Sequence, residues 1–184
     1  MLDQVIPQNE LIDNFLLSQR TFYLSGEIDE KNIDSAIRWM IYESYQEDDR
    51  PLNLYINSIG GSLNDAFALI DIMNKIKVPV RTIGLGSVMS SAFLIFLSGT
   101  VGHRYIGKYS SILSHQFSEE IYGKYHDLKT KIEESQKTNE KMIDLIKSKT
   151  NLTEKEIKAK LLPPTDIWLT SEEVIKMGIA DRIF

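Results

Sequence analysis

At 184 residues and 42% hydrophobic side chains, the chain is long enough to bury one sizeable core, and a single domain over residues 1–184 is expected. A formal net charge of −5 without a long basic run offers nothing to a phosphate backbone, and the absence of cysteine excludes disulfides, thiolate nucleophiles and cysteine-built zinc sites. No stretch reaches the roughly 20 apolar residues of a membrane span, and Met1–Pro7 lacks the basic-then-apolar order of a secretion signal, so a cytoplasmic location is expected.

Short β-rich runs alternate with helical patterns along the chain, which predicts α/β construction. Thr21-Phe22-Tyr23-Leu24 reads as a strand that stops at Gly26. Asn32 to Tyr45 reads as a helix with Ile33, Ile37, Met40 and Ile41 on one face. Pro51 to Ile56 predicts a strand that ends in the turn Asn57-Ser58-Ile59-Gly60-Gly61, and Leu63 to Lys75 a helix with Leu63, Ala66, Phe67 and Ile70 as its apolar stripe. Pro79 to Leu85 predicts the next strand. The helix beginning near Ser90 continues as Ala92-Phe93-Leu94-Ile95-Phe96-Leu97, apolar on every side, and is therefore expected to be deeply buried. Ser111 to Ser114 reads as a strand running into His115. Asp127 to Lys149 reads as one long helix with a polar middle, Glu133 to Lys141, between two apolar feet: Leu128 and Ile132 at one end, Met142, Ile143 and Ile146 at the other. Such a middle is ordinarily a solvated face; the alternative is an arm that meets another subunit. After Pro163-Pro164 come a short helix over Ser171 to Met177 and a closing strand over Asp181 to Phe184.

A glycine pair between strand and helix presents backbone N–H groups and lets another backbone approach closely, although an ordinary tight connection explains it equally well. Neither a dinucleotide fingerprint nor a phosphate loop follows it. Three serines, Ser87, Ser90 and Ser91, precede the apolar helix, where serine is usually a cap, and residue type alone does not choose among them. The G-x-S-x-G elbow is absent: Val88 and Ala92 flank Ser90 at two residues' distance. Of the three histidines, His103 sits in a turn-like run and His126 opens the polar helix. Only His115 ends an apolar strand, where a ring could face a cleft from a rigid base; histidine suits the base role because its unperturbed pKa of about 6.5 lies near working pH. Asp166, between Pro163-Pro164-Thr165 and Ile167-Trp168-Leu169, is expected to be partly buried; a turn cap is its plain alternative.

Together these residues carry a resemblance. From about Arg20 to the C-terminus the chain resembles the proteolytic subunit of the Clp peptidase, a relative of the crotonase superfamily. Tyr55-Ile56-Asn57-Ser58-Ile59-Gly60-Gly61-Ser62 is similar to Y-I-N-S-P-G-G-S, with Ile59 in place of proline. Ser90 falls at the nucleophile of G-Q-A-A-S-M-G-A, framed by Gly86 and Gly102-His103-Arg104-Tyr105. Ser114-His115-Gln116 resembles I-H-Q-P, Asp166 to Ser171 resembles D-x-F-x-S-A, and Met177 to Asp181 resembles Y-G-L-V-D.

The resemblance implies an α/β fold, a ClpP/crotonase-like spiral of β-β-α units with a projecting handle helix. The handle would be a strand and helix over about residues 117–149, and residues 1–19 an N-terminal segment. It implies Ser90 as nucleophile, His115 as base, Asp166 as its orienting partner, and the N–H groups of Gly61 and Ser91 as oxyanion donors, with no metal or organic cofactor. It implies rings of seven, stacked in pairs, that cut unfolded polypeptides delivered by an AAA+ unfoldase. Several departures bear on this. Ser91-Ala92 replace Met-Gly after the nucleophile; Phe117 to Gly123 replace a glycine-rich handle strand, placing Glu119-Glu120 where rings would meet; and Thr165 stands where arginine often ties the rings. Asn53 and Lys75 stand where docking pockets are usually aromatic, and the segment before Arg20 is short, so trimmed pore loops and altered docking are expected. Two alternatives accompany this reading: a weakly active or inactive ring subunit that modulates assembly, with a homologous Clp subunit as a partner, and, with less support, a crotonase-type acyl-CoA enzyme.

Overall fold

A computed structural model describes residues 7–184; the secretion-signal reading falls on residues that, Pro7 apart, lie outside the described ones. Its elements are α1 (Gln8–Ser18), β1 (Thr21–Ile28), α2 (Glu30–Ser44), β2 (Leu52–Gly61), α3 (Leu63–Lys75), β3 (Val80–Met89), α4 (Ser91–Leu97), β4 (Arg104–Ile106), β5 (Ser111–Ser114), α5 (Tyr125–Lys149), α6 (Glu154–Lys160), β6 (Ile167–Leu169), α7 (Ser171–Lys176) and β7 (Arg182–Ile183). The α/β construction anticipated from the alternating patterns is observed.

Seven strands share one sheet in the order β1-β2-β3-β4-β7, with β5 beside β3 and β6 beside β5. Every pairing is parallel except β5 with β6. Two sequence expectations change here. The strand predicted to stop at Gly26 and the turn predicted over Asn57 to Gly61 are both continuous strand. Their glycines and small residues absorb register shifts, between Gly26 and Glu27 and between Ile56 and Ser58, instead of ending the ladder. β3 likewise changes partner along its length: Thr82–Gly84 pair with β4, then Ser87–Met89 with β5, across Gly86 at φ 62°. One long bent strand thus does the work of two.

The core lies around α4, all seven residues of which are buried. Its Phe93 and Phe96 are among the largest fully buried side chains, each contributing about 1.5–3 kcal/mol relative to exposure. α4 packs on β2 and β3, and α3 packs on α4 and α2. Two buried hydroxyls in this layer are paired with helix carbonyls: Thr82 Oγ1 donates to that of Phe96 at 2.8 Å and Ser98 Oγ to that of Leu94 at 2.7 Å. Asp29, Ser62, Thr153 and Thr170 accept the first-turn amides of α2, α3, α6 and α7. α6 was not anticipated, although Thr153 and Glu156 spell its capping box; nor was α1, which has no side-chain cap and no fully buried residue. In α5 only Met142, Ile143 and Ile146 are buried, while Ile132 is 52% exposed, so one foot is anchored and the other is free. The handle strand expected after His115 is not formed among the described residues: 115–124 carry no ladder bonds there.

The far edge is tied by charge. Arg104, 2% exposed, donates from Nη2 to Asp181 Oδ1 at 2.6 Å and from Nε to Oδ2 at 2.9 Å. Asp181 Oδ2 also accepts the amides of Gly102 and Arg104, and Arg104 Nη1 reaches the Lys149 carbonyl at 2.9 Å. Burial pushes the Asp181 carboxyl up, but the Arg104 hydrogen bonds and charge, with the Gly102 amide, outweigh it and hold it below its ordinary value. Asp181→Ala leaves a buried guanidinium unpaired and is expected to cost about 3–5 kcal/mol in urea denaturation. Because the native carboxyl is depressed, its stabilisation is complete above the ordinary carboxylate range and is lost as pH falls through the native value. The gap between wild type and variant is therefore expected to be flat near neutrality and to shrink below about pH 4.

Candidate active site

β3 ends at Met89 and α4 begins at Ser91; Ser90 makes the corner with φ 54° and ψ −125°. For a non-glycine residue this conformation costs on the order of 1–3 kcal/mol and persists only where its surroundings over-determine it. They do here. The Ser90 amide donates to the Leu113 carbonyl at 3.0 Å, and its carbonyl accepts the Phe93 amide at 3.0 Å. Gly60 lies so close that a Cβ there would sit 2.6 Å from Ser90 Cβ and 2.8 Å from the Met89 carbonyl oxygen. Asn57 Oδ1 accepts the Ser87 amide at 3.0 Å and its Nδ2 donates to the Tyr23 hydroxyl at 3.2 Å, fixing the approach to the corner.

Ser90 occupies the N-cap of α4, yet its hydroxyl makes no cap bond. It lies 2.8 Å from His115 Nε2. With the imidazole proton on Nδ1, the hydroxyl donates to Nε2, the arrangement in which a base can take its proton. His115 follows β5 directly. Its neighbours hold that strand end against the end of α6: Ser114 Oγ donates to the Leu161 carbonyl at 2.7 Å and Gln116 Nε2 to that of Leu162 at 2.8 Å.

Asp166 is exposed, where partial burial was expected, and among the described residues no hydrogen bond joins it to His115. The reason is its place on the entry to β6, a three-residue strand that among the described residues pairs with β5 alone. The β5–β6 ladder ends with Ser114 paired to Ile167, one residue short of both His115 and Asp166.

A cleft of about 300 Å³ opens beside the pair. Gly61, Ser90, Ser91 and His115 all line it, whereas Asp166, His103 and His126 do not. Its remaining wall includes Leu63, Leu94, Glu119, and Glu134, Thr138 and Met142 of α5, none of which the sequence assigned to the site. The last three, four residues apart, were legible as one helical face but not as a face turned toward Ser90. Asn57 was visible within its motif, but its bond to Ser87 spans the register shift and carried no local signal.

A family model described as Clp protease matches residues 7–184. The chain is 29% identical over 168 residues to the ATP-dependent Clp protease proteolytic subunit of Borreliella afzelii, covering 91% of this chain and 84% of that one. It is 29% identical over the same length to the protein of that name from Borrelia garinii subsp. bavariensis, covering 91% and 86%.

The glycines differ in what surrounds them, and that difference is measurable. Gly60→Ala forces a Cβ into the Ser90 corner at φ 94° and is expected to lower the unfolding midpoint strongly and to displace Ser90 from His115. Gly26→Ala at φ 81° meets nothing within 4 Å and is expected to cost only about 1 kcal/mol of backbone strain. Thermal unfolding of the two variants side by side checks this.

Proposed function

The chain belongs to the Clp protease family, and from that premise we propose that it is a serine endopeptidase whose nucleophile is Ser90. The observation that carries this reading is the Ser90 hydroxyl, withheld from the helix cap it occupies and set 2.8 Å from His115 Nε2 on a strained corner. Ser90 Oγ attacks the scissile carbonyl as His115 Nε2 takes its proton. The N–H groups of Gly61 and Ser91 receive the oxyanion, and the imidazolium protonates the leaving amine. Water, deprotonated by the same ring, then releases the acyl group. On this reading Asp166, which is exposed and outside the ladder, closes on His115 and holds its tautomer.

The substrates on this reading are unfolded polypeptides, cut in the cytoplasm inside a ring of seven subunits that stacks on a second ring; among the described residues no helix is long and apolar enough to cross a membrane. Assembly is supported by large apolar side chains left in solvent: Leu11, Ile12 and Phe15 on α1, Ile132 on α5, and Trp168 beside Asp166. Altered docking of an AAA+ unfoldase is supported by Asn53, whose Oδ1 is engaged by Arg81 Nη1 at 3.0 Å while the Arg81 guanidinium lies 5.4 Å from the Tyr105 ring centroid. The exposed Asp166, unbonded to His115, favours a second reading, a ring subunit of low activity that modulates assembly.

Ser90→Ala is expected to abolish labelling by a fluorophosphonate, and Ser87→Ala to retain it; labelling that survives Ser90→Ala refutes the nucleophile. A wild type that labels no faster than Ser90→Ala establishes the second reading. Native mass spectrometry over a salt series checks assembly. Sevenfold species are expected, with double rings gaining at higher salt as repulsion among Glu119 and Glu120 is screened; a monomer at every salt concentration refutes the ring.

A further inference from the structure

We propose that the cleft beside Ser90 selects a basic side chain, lysine or arginine, on the residue that supplies the scissile carbonyl; this rests on the peptidase reading above. When that carbonyl is at Ser90, the side chain one bond removed from it is the one that reaches into this space. The cleft is amphipathic in the sense such a side chain requires. Leu94 and Met142, 2% and 5% exposed, give an apolar inner wall for an alkyl stem. Glu119 and Glu134 supply two carboxylates, and no lysine or arginine lines the cleft. Among the described residues neither carboxylate is paired with a cation. Glu119 Oε2 lies 3.2 Å from Ser135 Oγ of α5, whose single proton is shared with the nearer Lys131 carbonyl at 2.9 Å.

An independent observation concerns Ser91. It is 3% exposed and lines the cleft, and its Oγ has no hydrogen-bond partner among the described residues. A buried hydroxyl without a partner carries a desolvation cost, and an N–H-bearing ligand group would remove it on reaching the shielded Oγ. A leucine side chain offers that hydroxyl nothing and takes water from two carboxylates. An acidic side chain meets like charge. An ammonium or guanidinium brings three or five N–H donors and no acceptor, matching a wall of acceptors.

Peptidyl-coumarin substrates that differ only in lysine, arginine, leucine or glutamate before the scissile bond test the proposal. The kcat/KM for lysine and arginine is expected to exceed that for leucine by about tenfold or more, with glutamate slowest. In the double variant Glu119→Gln/Glu134→Gln the lysine-to-leucine ratio is expected to fall toward one. Glu133→Gln, an exposed carboxylate on α5 that does not line the cleft, is expected to preserve it. A wild-type ratio of one or less, or a ratio that survives the double substitution, overturns the proposal. A second arm needs no turnover. Ser90→Ala is titrated by fluorescence polarisation with product peptides ending in lysine or in its uncharged isostere norleucine. Tighter binding of lysine supports the basic cleft even where wild type takes no fluorophosphonate, an outcome that overturns only the peptidase reading. Equal binding overturns the cleft assignment.

Discussion

The close approach of Gly60 to the Ser90 corner is the constraint on which the rest of the site depends. Two parallel strands end side by side there, and any side chain at Gly60 would strike Ser90 Cβ or the Met89 carbonyl. The contact makes a positive φ at Ser90 tolerable, because the corner is walled by β2, tied to β5 through the Leu113 carbonyl and continued into a wholly buried helix. Freed from the cap by that geometry, the hydroxyl points where a histidine can reach it. The strain is local, and its support is spread over most of the core.

The long helices and most strand cores were legible because their residues repeat with the right period over many positions. Leu63–Lys75 and Ser111–Ser114 were anticipated to the residue, and α4 was recognised as buried because it has no polar side. Strand ends were less legible. Gly26 and Gly60-Gly61 look like punctuation in a one-dimensional reading, but in a parallel sheet a positive-φ glycine can shift the register and leave the strand running. Ser90 and His115 were found as residue types at the ends of apolar runs, and the fold places them in contact. The missing Asp166 bond was not legible, since it depends on how a three-residue edge strand seats against β5. Glu119 and Glu134 were invisible as a pair because they are joined only by the path of residues 115–124 back along α5.

Polar chemistry in this chain is concentrated where elements from distant parts of the sequence meet. Arg104 and Asp181 lie 77 residues apart and fasten β4 and the chain's end to the last carbonyl of α5. Lys149, which supplies that carbonyl, also donates through Nζ to Asn74 Oδ1 at 2.8 Å and the Ser98 carbonyl at 3.3 Å; burial first, and then the Arg104 charge, push its ammonium below the ordinary lysine value. A cation accepting that penalty marks the joint at which α3, α4 and α5 are locked together.

That joint gives α5 a fulcrum. The helix is held from Met142 to Lys149, while Tyr125 stands 17 residues away, about 25 Å along the axis at 1.5 Å per residue. Glu134 and Thr138 lie between the two, on the stretch that walls the cleft beside Ser90. A tilt of about 5° at the fulcrum moves the free tip by roughly 2 Å and the cleft wall by a smaller share of that distance. The free end of α5 and the cleft wall beside Ser90 thus lie on one rod, and a displacement of the first would carry Glu134 and Thr138 with it.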